Sequence, residues 1–242
     1  MRVSLFIPCL VDQFFPQVGV SLVRILRKLG ISVDYPMEQT CCGQPAFNTG
    51  YHEETLELAQ RFLMVFNRGT DYIVCPSGSC TSMVKVFYPE IVQDPSLHAA
   101  LESVRMRTFE FSDFLVNVLG VVDLGVRFPF KLTYHDACHL LRELRIKEPP
   151  RQLIRHVRGA EFVEMEHSDS CCGFGGTFSV KFPEISTAMC EDKISSIVKT
   201  GAEYLVANDS SCLMQIAGSL SRMGLPIKTI HLAELLGGNL TS

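Results

Sequence analysis

The 242 residues, 47% apolar and 20% charged, describe a globular chain with enough apolar material for one large core or two modest ones. A formal charge of −4 with scattered basic residues leaves no footprint for a nucleic-acid partner. No stretch approaches the ~20 uncharged apolar residues of a transmembrane segment, and the amino-terminal apolar run stops at Pro8 without a cleavage signal, so the protein is expected in the cytoplasm.

In chain order, residues 3–8 read as a strand. Val18, Leu22, Ile25, Leu26 and Leu29 share one helical face with Gly30 just beyond, and 31–35 returns as a strand. This β-α-β order implies a parallel pair with a right-handed crossover. An amphipathic helix over 53–67, a strand over 72–75, and a turn at 76–80 opening a helix near 81–87 follow. Cys80 then lies near a helix amino terminus, where the dipole and free N–H groups favour a thiolate. Residues 89–130, with Pro89, Pro95 and Pro129, hold predicted helices at 97–105 and 111–119 and read as a helical connection. The order then restarts, with strands at 132–135, 161–165, 204–207 and 227–230 and helices at 152–157, 183–199, 212–223 and 232–236. The expectation is an α/β protein of duplicated Rossmann-like halves with mainly parallel sheets, 1–88 and 131–242, joined by 89–130.

Cysteines carry the repeat. Cys9 and Cys138 lie 129 residues apart, Cys42 and Cys172 lie 130 apart, and Cys80 and Cys212 lie 132 apart. Each half thus has a Cys after its first strand, a Cys-Cys-Gly after its second (Cys41-Cys42-Gly43, Cys171-Cys172-Gly173) and a Cys after its third, which signals duplication. Ten cysteines in a reducing compartment point to metal or redox chemistry rather than disulfides. Vicinal cysteines pair with strain, so each doublet is better suited to presenting two sulfurs elsewhere. In a parallel sheet the loops after successive strands open at one edge, where four sulfurs per half can converge. Four thiolates suit an iron–sulfur cluster and equally a single zinc ion. Ligands drawn from three distant loops, rather than paired C-x-x-C knuckles, favour iron–sulfur.

Around these eight, His135 and His139 flank Cys138 at a spacing that could set both on one helical face, as proton donors, ligands, or hydrogen-bond partners behind the ligands. Arg142 either neutralises charge there or is a solvated surface residue. The amides of Gly173, Gly175 and Gly176 are placed to bond cluster sulfurs. Cys75 is matched by Ala207 and reads as strand-end filling with a fifth-ligand role as the alternative; Cys190 reads as core.

The stretches Ile7-Pro-Cys-Leu-Val-Asp12, Cys41-Cys-Gly-Gln-Pro-Ala46, Pro76-Ser-Gly-Ser-Cys80, Tyr134-His-Asp-Ala-Cys-His139 and Cys171-Cys-Gly-Phe-Gly-Gly-Thr-Phe178 resemble the cysteine-rich CCG-domain family. That family includes a cysteine-rich subunit of heterodisulfide reductase and the glycolate oxidase iron–sulfur subunit, and the resemblance is closer to its lactate utilisation protein A group. It implies a cytoplasmic subunit of a complex oxidising L-lactate to pyruvate, with a ferredoxin-like iron–sulfur subunit and a smaller third subunit as partners and clusters of the 4Fe–4S type as cofactors. Heterodisulfide reductase-type members close each motif with C-x-x-C, whereas here Ser77 and Asp209 stand at the first of those positions. Two alternatives stay open, a heterodisulfide reductase-like thiol/disulfide oxidoreductase and a metal-stapled scaffold subunit.

Overall fold

Strand β1 (Arg2–Leu5) opens the chain and feeds the short helix Cys9–Phe14. The structure is a computed structural model and describes residues 1–238, so the end of the second half, 239–242, lies outside the described residues. The next helix, Pro16–Lys28, begins with proline, where no N–H is wasted, and buries Val18, Leu22, Ile25 and Leu26 at helical spacing. Strands β2 (Ser32–Asp34), β3 (Tyr72–Cys75) and β4 (Thr108–Glu110) complete a parallel sheet in the order β2-β1-β3-β4. The second half repeats the plan. Strands β5 (Lys131–Tyr134), β6 (Glu161–Phe162), β7 (Tyr204–Ala207) and β8 (Lys228–His231) form a parallel sheet in the order β6-β5-β7-β8. The protein is α/β, built of duplicated Rossmann-like halves.

Two expectations change. Segment 89–130 is more than a helical connection, because β4 within it is the edge strand of the first sheet. The strand follows helix His98–Arg107 without an intervening Gly or Pro, so no local signal separates them. The strand expected over 161–165 shrinks to Glu161–Phe162 at an edge.

The halves share a core. Helix Leu232–Leu236 of the second packs on Pro16–Lys28 of the first, and Glu148–Arg155 of the second packs on the 111–118 helical segment that follows β4. These are equivalent pairings across one interface. Leu5, Leu26, Phe111, Phe128, Tyr134 and Leu235 meet in this central cluster, while each half has a smaller one on its outer side. A chain with its largest core between the halves holds their carboxyl-edge loops in fixed relation.

Candidate metal centre

The carboxyl ends of both sheets face one cleft of about 360 Å³, and Cys9, Cys41, Cys42, Cys80, Cys138, Cys171, Cys172 and Cys212 all line it. Cys9 and Cys138 each begin the short helix that follows the first strand of their half. Cys80 and Cys212 each occupy the third position of the helix after the third strand. Both doublets lie in loops turned by a left-handed glycine, Gly43 (φ +87°) and Gly173 (φ +82°). At Gly173 a Cβ would stand 2.4 Å from the Ser186 carbonyl oxygen, so nothing larger fits.

Within the first quartet the Cys9 and Cys41 sulfurs are 3.7 Å apart, and Cys42 bridges Cys41 to Cys80. The second quartet repeats the chain of contacts, Cys138 to Cys171 to Cys172 to Cys212. Hydrogen bonds from Cys42 and Cys9, and from the Gly43 amide at 3.4 Å, hold the Cys41 thiol down to about 3. Cys171 is brought down to about 2 by Cys138 and Cys172, with the Gly173 amide at 3.4 Å. The thiols donating to them, Cys9, Cys42, Cys138 and Cys172, move up in turn, and burial adds to the rise. Cys212, accepting from Cys172, falls to about 6. Each quartet therefore carries a stabilised thiolate, the form a metal takes.

The expected partners separate. His135 and His139 do not share a helical face, because His135 lies before helix Cys138–Arg142 and only His139 is on it. His139 is at the cleft wall. His135 is fully buried, makes no hydrogen bond to nitrogen or oxygen, and comes within 4.8 Å of the Cys172 and Cys212 sulfurs, where it helps hold the Cys212 thiol down. Gly175 and Gly176 line the cleft with positive φ, while Gly173 is the one of the three glycines whose amide donates to a sulfur. Arg142 is exposed and donates to the Asp169 carbonyl. Cys75 is buried at the end of β3 outside the cleft lining, and Cys190 lies on helix Pro183–Lys199 with its thiol toward the Gln215 carbonyl.

Sequence reasoning missed the knot between the quartets. Asp209 accepts from the Ser77 hydroxyl (2.7 Å), the Gly78 amide (3.1 Å), the Ser79 amide (3.2 Å) and the Ser79 hydroxyl (2.7 Å). A second-half carboxylate thus caps a first-half helix, and the two positions that depart from C-x-x-C bond each other. Beside it Asn208 donates to Glu110, and His231 Nε2 sits 3.0 Å from the Pro76 carbonyl. These contacts join residues about a hundred or more positions apart, beyond any local pattern.

The donor set fits a thiolate-bound metal or iron–sulfur group, with sulfurs clustered, some ionised, and the Asp209 carboxylate of the cleft wall spent on the knot. Sulfurs at 3.7 Å match the edge of a tetrahedron around one ion with bonds of about 2.3 Å, whereas a four-iron cluster takes the same four thiolates spread wider.

Comparison with known proteins agrees with the repeat. The cysteine-rich domain family, CCG, matches residues 3–85 and 132–217. A lactate utilization protein A from Exiguobacterium sp. is 48% identical over 237 residues, covering 97% of this chain and 96% of its own length. Lactate utilization protein A 1 of Bacillus mycoides is 48% identical over 239 residues, covering 98% and 96%. A crystal structure of a hypothetical protein from Helicobacter pylori shares the fold with TM-score 0.69 at 14% identity; all of this chain aligns, spanning 49% of that one. No helix among the described residues is long and apolar enough to cross a membrane.

Proposed function

This chain belongs to the cysteine-rich CCG-domain family, in its lactate utilization protein A group, and from that membership we propose that it is the iron–sulfur subunit of a cytoplasmic complex oxidising L-lactate to pyruvate. Its partners in this reading are a ferredoxin-like iron–sulfur subunit and a third small subunit. The oxidation releases two electrons and two protons, and clusters of the 4Fe–4S type, held by Cys9, Cys41, Cys42 and Cys80 and by Cys138, Cys171, Cys172 and Cys212, supply one-electron carriers when bound. The observation that carries the reading is the convergence of eight cysteines on one cleft.

The chain's own residues suit that role. The Gly43 and Gly173 amides donate to Cys41 and Cys171 and stabilise charge on sulfur. Pro8 and Phe174 give the cleft apolar lining beside the sulfurs. The Ser77–Asp209 bond occupies the positions where a fifth thiol would stand, which supports four-thiolate sites over the heterodisulfide reductase-like alternative. Anaerobically purified protein should contain iron and acid-labile sulfide in equal amounts, and lactate should reduce it only when its partner subunits are present. A second reading draws on the 3.7 Å sulfur separation, a metal-stapled scaffold around single zinc ions. Stoichiometric zinc without sulfide would establish it and refute the first.

A further inference from the structure

The quartets occupy equivalent frames in unlike company. Thr55, Ala59, Phe62 and Phe66, buried on helix His52–Phe66, recur 131 residues later as Ser186, Cys190, Lys193 and Ile197, buried on helix Pro183–Lys199. Phe6 follows β1 as His135 follows β5, at the 129-residue offset that also relates Cys9 to Cys138. In the first half Phe6 and Phe62 pack edge to face with centroids 4.8 Å apart. The corresponding pair in the second half is His135 and Lys193.

Both are fully buried. The Lys193 ammonium donates to the His167 and Ser168 carbonyls at 2.7 and 3.1 Å, in the loop leading to Cys171, so the acceptors that hold it are neutral. His135 makes no hydrogen bond to nitrogen or oxygen, and its neighbours are the Cys172 and Cys212 sulfurs, the latter thiol held down by it. Of the nearby carboxylates, Asp169 is exposed to water and two others are already engaged. Asp136 takes two bonds from Arg151 and one from Ser168, and Asp209, between the quartets, is bonded to the first half's loop. Burying a cation held by carbonyls and an imidazole whose polar neighbours are sulfurs, where the duplicate has phenylalanines, is unfavourable unless something anionic gains from them.

Resting on the iron–sulfur reading above, we infer that the second quartet is the electron sink of the chain. His135, as an N–H donor toward the Cys172 and Cys212 sulfurs, and Lys193, as a fixed buried cation, stabilise the reduced state there, while the aromatic frame of the first quartet does not. With clusters bound, an electron shared between the sites would rest on the second, the first being oxidised as the second is reduced. The charge is met by groups already in place.

The test is an anaerobic redox titration of the full chain followed by electron paramagnetic resonance, with iron and sulfide measured on each sample. Wild type should show separate one-electron steps, the second site favoured at least tenfold, about 59 mV. Lys193→Met and His135→Phe should each lower only the higher potential with iron content unchanged, and the conservative Lys193→Arg and His135→Gln should restore it. Coincident steps in wild type, a lower step that moves with the upper, or variants without effect would overturn the inference. Loss of iron from both His135→Phe and His135→Gln would also overturn it, by making the side chain a ligand rather than a donor. Wild-type protein without iron and sulfide would instead overturn the reading on which it rests.

Discussion

Asp209 offers the sharpest test of how the quartets are held together. Its carboxylate, 1% exposed, accepts four hydrogen bonds from the Ser77–Ser79 turn of the other half. Hydrogen bonds to a charged group are worth roughly 1.5–3 kcal/mol each, but not all four are lost outright in Asp209→Ala. The Ser77 and Ser79 hydroxyls, 3.1 Å apart, can bond each other, and the partly exposed Ser79 amide can find water. The Gly78 amide, on a buried residue, has no such escape. The net expectation is a loss of about 3–4 kcal/mol, or ~10 °C in melting temperature for a chain of this size. Asp209→Asn retains an oxygen for the serine side but turns an NH₂ toward the Gly78 amide, so about 1–2 kcal/mol should go. Urea unfolding followed by far-ultraviolet circular dichroism measures both, and Cys80, in the capped helix and 9% exposed, should react faster with a thiol reagent in each variant. An Asp209→Ala stability within ~0.5 kcal/mol of wild type, the range of an unremarkable surface change, would refute the role assigned to the knot.

Gly173→Ala should cost more than Gly43→Ala. Both strain a left-handed residue by about 1–2 kcal/mol, but the new methyl meets the Ser186 carbonyl at 2.4 Å in one and the Thr55 methyl at 3.1 Å in the other. Metal analysis should find the second site depleted in Gly173→Ala while the first is retained. Glu110 is buried, and desolvation lifts its carboxyl to about 7 against roughly 4.3 when unfolded. The folded state then holds a proton the unfolded state releases, so its contribution is full below about pH 4 and is lost as pH rises through 7, roughly 4 kcal/mol in all. Glu110→Gln should therefore flatten the fall in urea midpoint between pH 5 and pH 8. Burial alone would raise the Asp136 carboxyl, and the bonds from Arg151 at 2.8 and 2.6 Å turn the shift downward. Arg151→Met, leaving that carboxylate buried and unpaired, should cost about 3–5 kcal/mol at pH 8 and less at pH 5, read from the same unfolding curves.

Much of this was legible because the information is local. Strand β3 falls where its apolar run predicts, and the 3.6-residue pattern of Val18, Leu22 and Ile25 gives the helix against which the second half packs. The eight cysteines were readable as a set because duplication repeated their spacing. Strand β4 was not, since three residues flush against a helix carry no period, and pairing with β3 alone makes them a strand. Lys193 was missed for a different reason. A lysine in a helix of mixed polarity reads as solvent-facing, and only superposition on Phe62 reveals that its position is a core position. The Asp209 knot lies further out of reach, because its partners are 130 to 132 residues away and its chemistry looks like an ordinary turn.

The duplicated halves also act as internal controls for each other. What is held constant is the sulfur set with its glycine turns, Cys9, Cys41, Cys42, Gly43 and Cys80 against Cys138, Cys171, Cys172, Gly173 and Cys212. What differs is concentrated in two places. At the interface, Ser77 faces Asp209 and Glu110 faces Asn208, each a donor meeting an acceptor. Identical residues at the first position would put two carboxylates together, or two hydroxyls with no charge to cap the Gly78 amide. Behind the sites, Phe6 and Phe62 give way to His135 and Lys193. A homodimer of one such half cannot make either change singly, because its symmetry places every substitution on both sides. Fusion into one chain removes that constraint, so the joint can become complementary and the sites electrostatically unequal while their thiolate ligands stay the same.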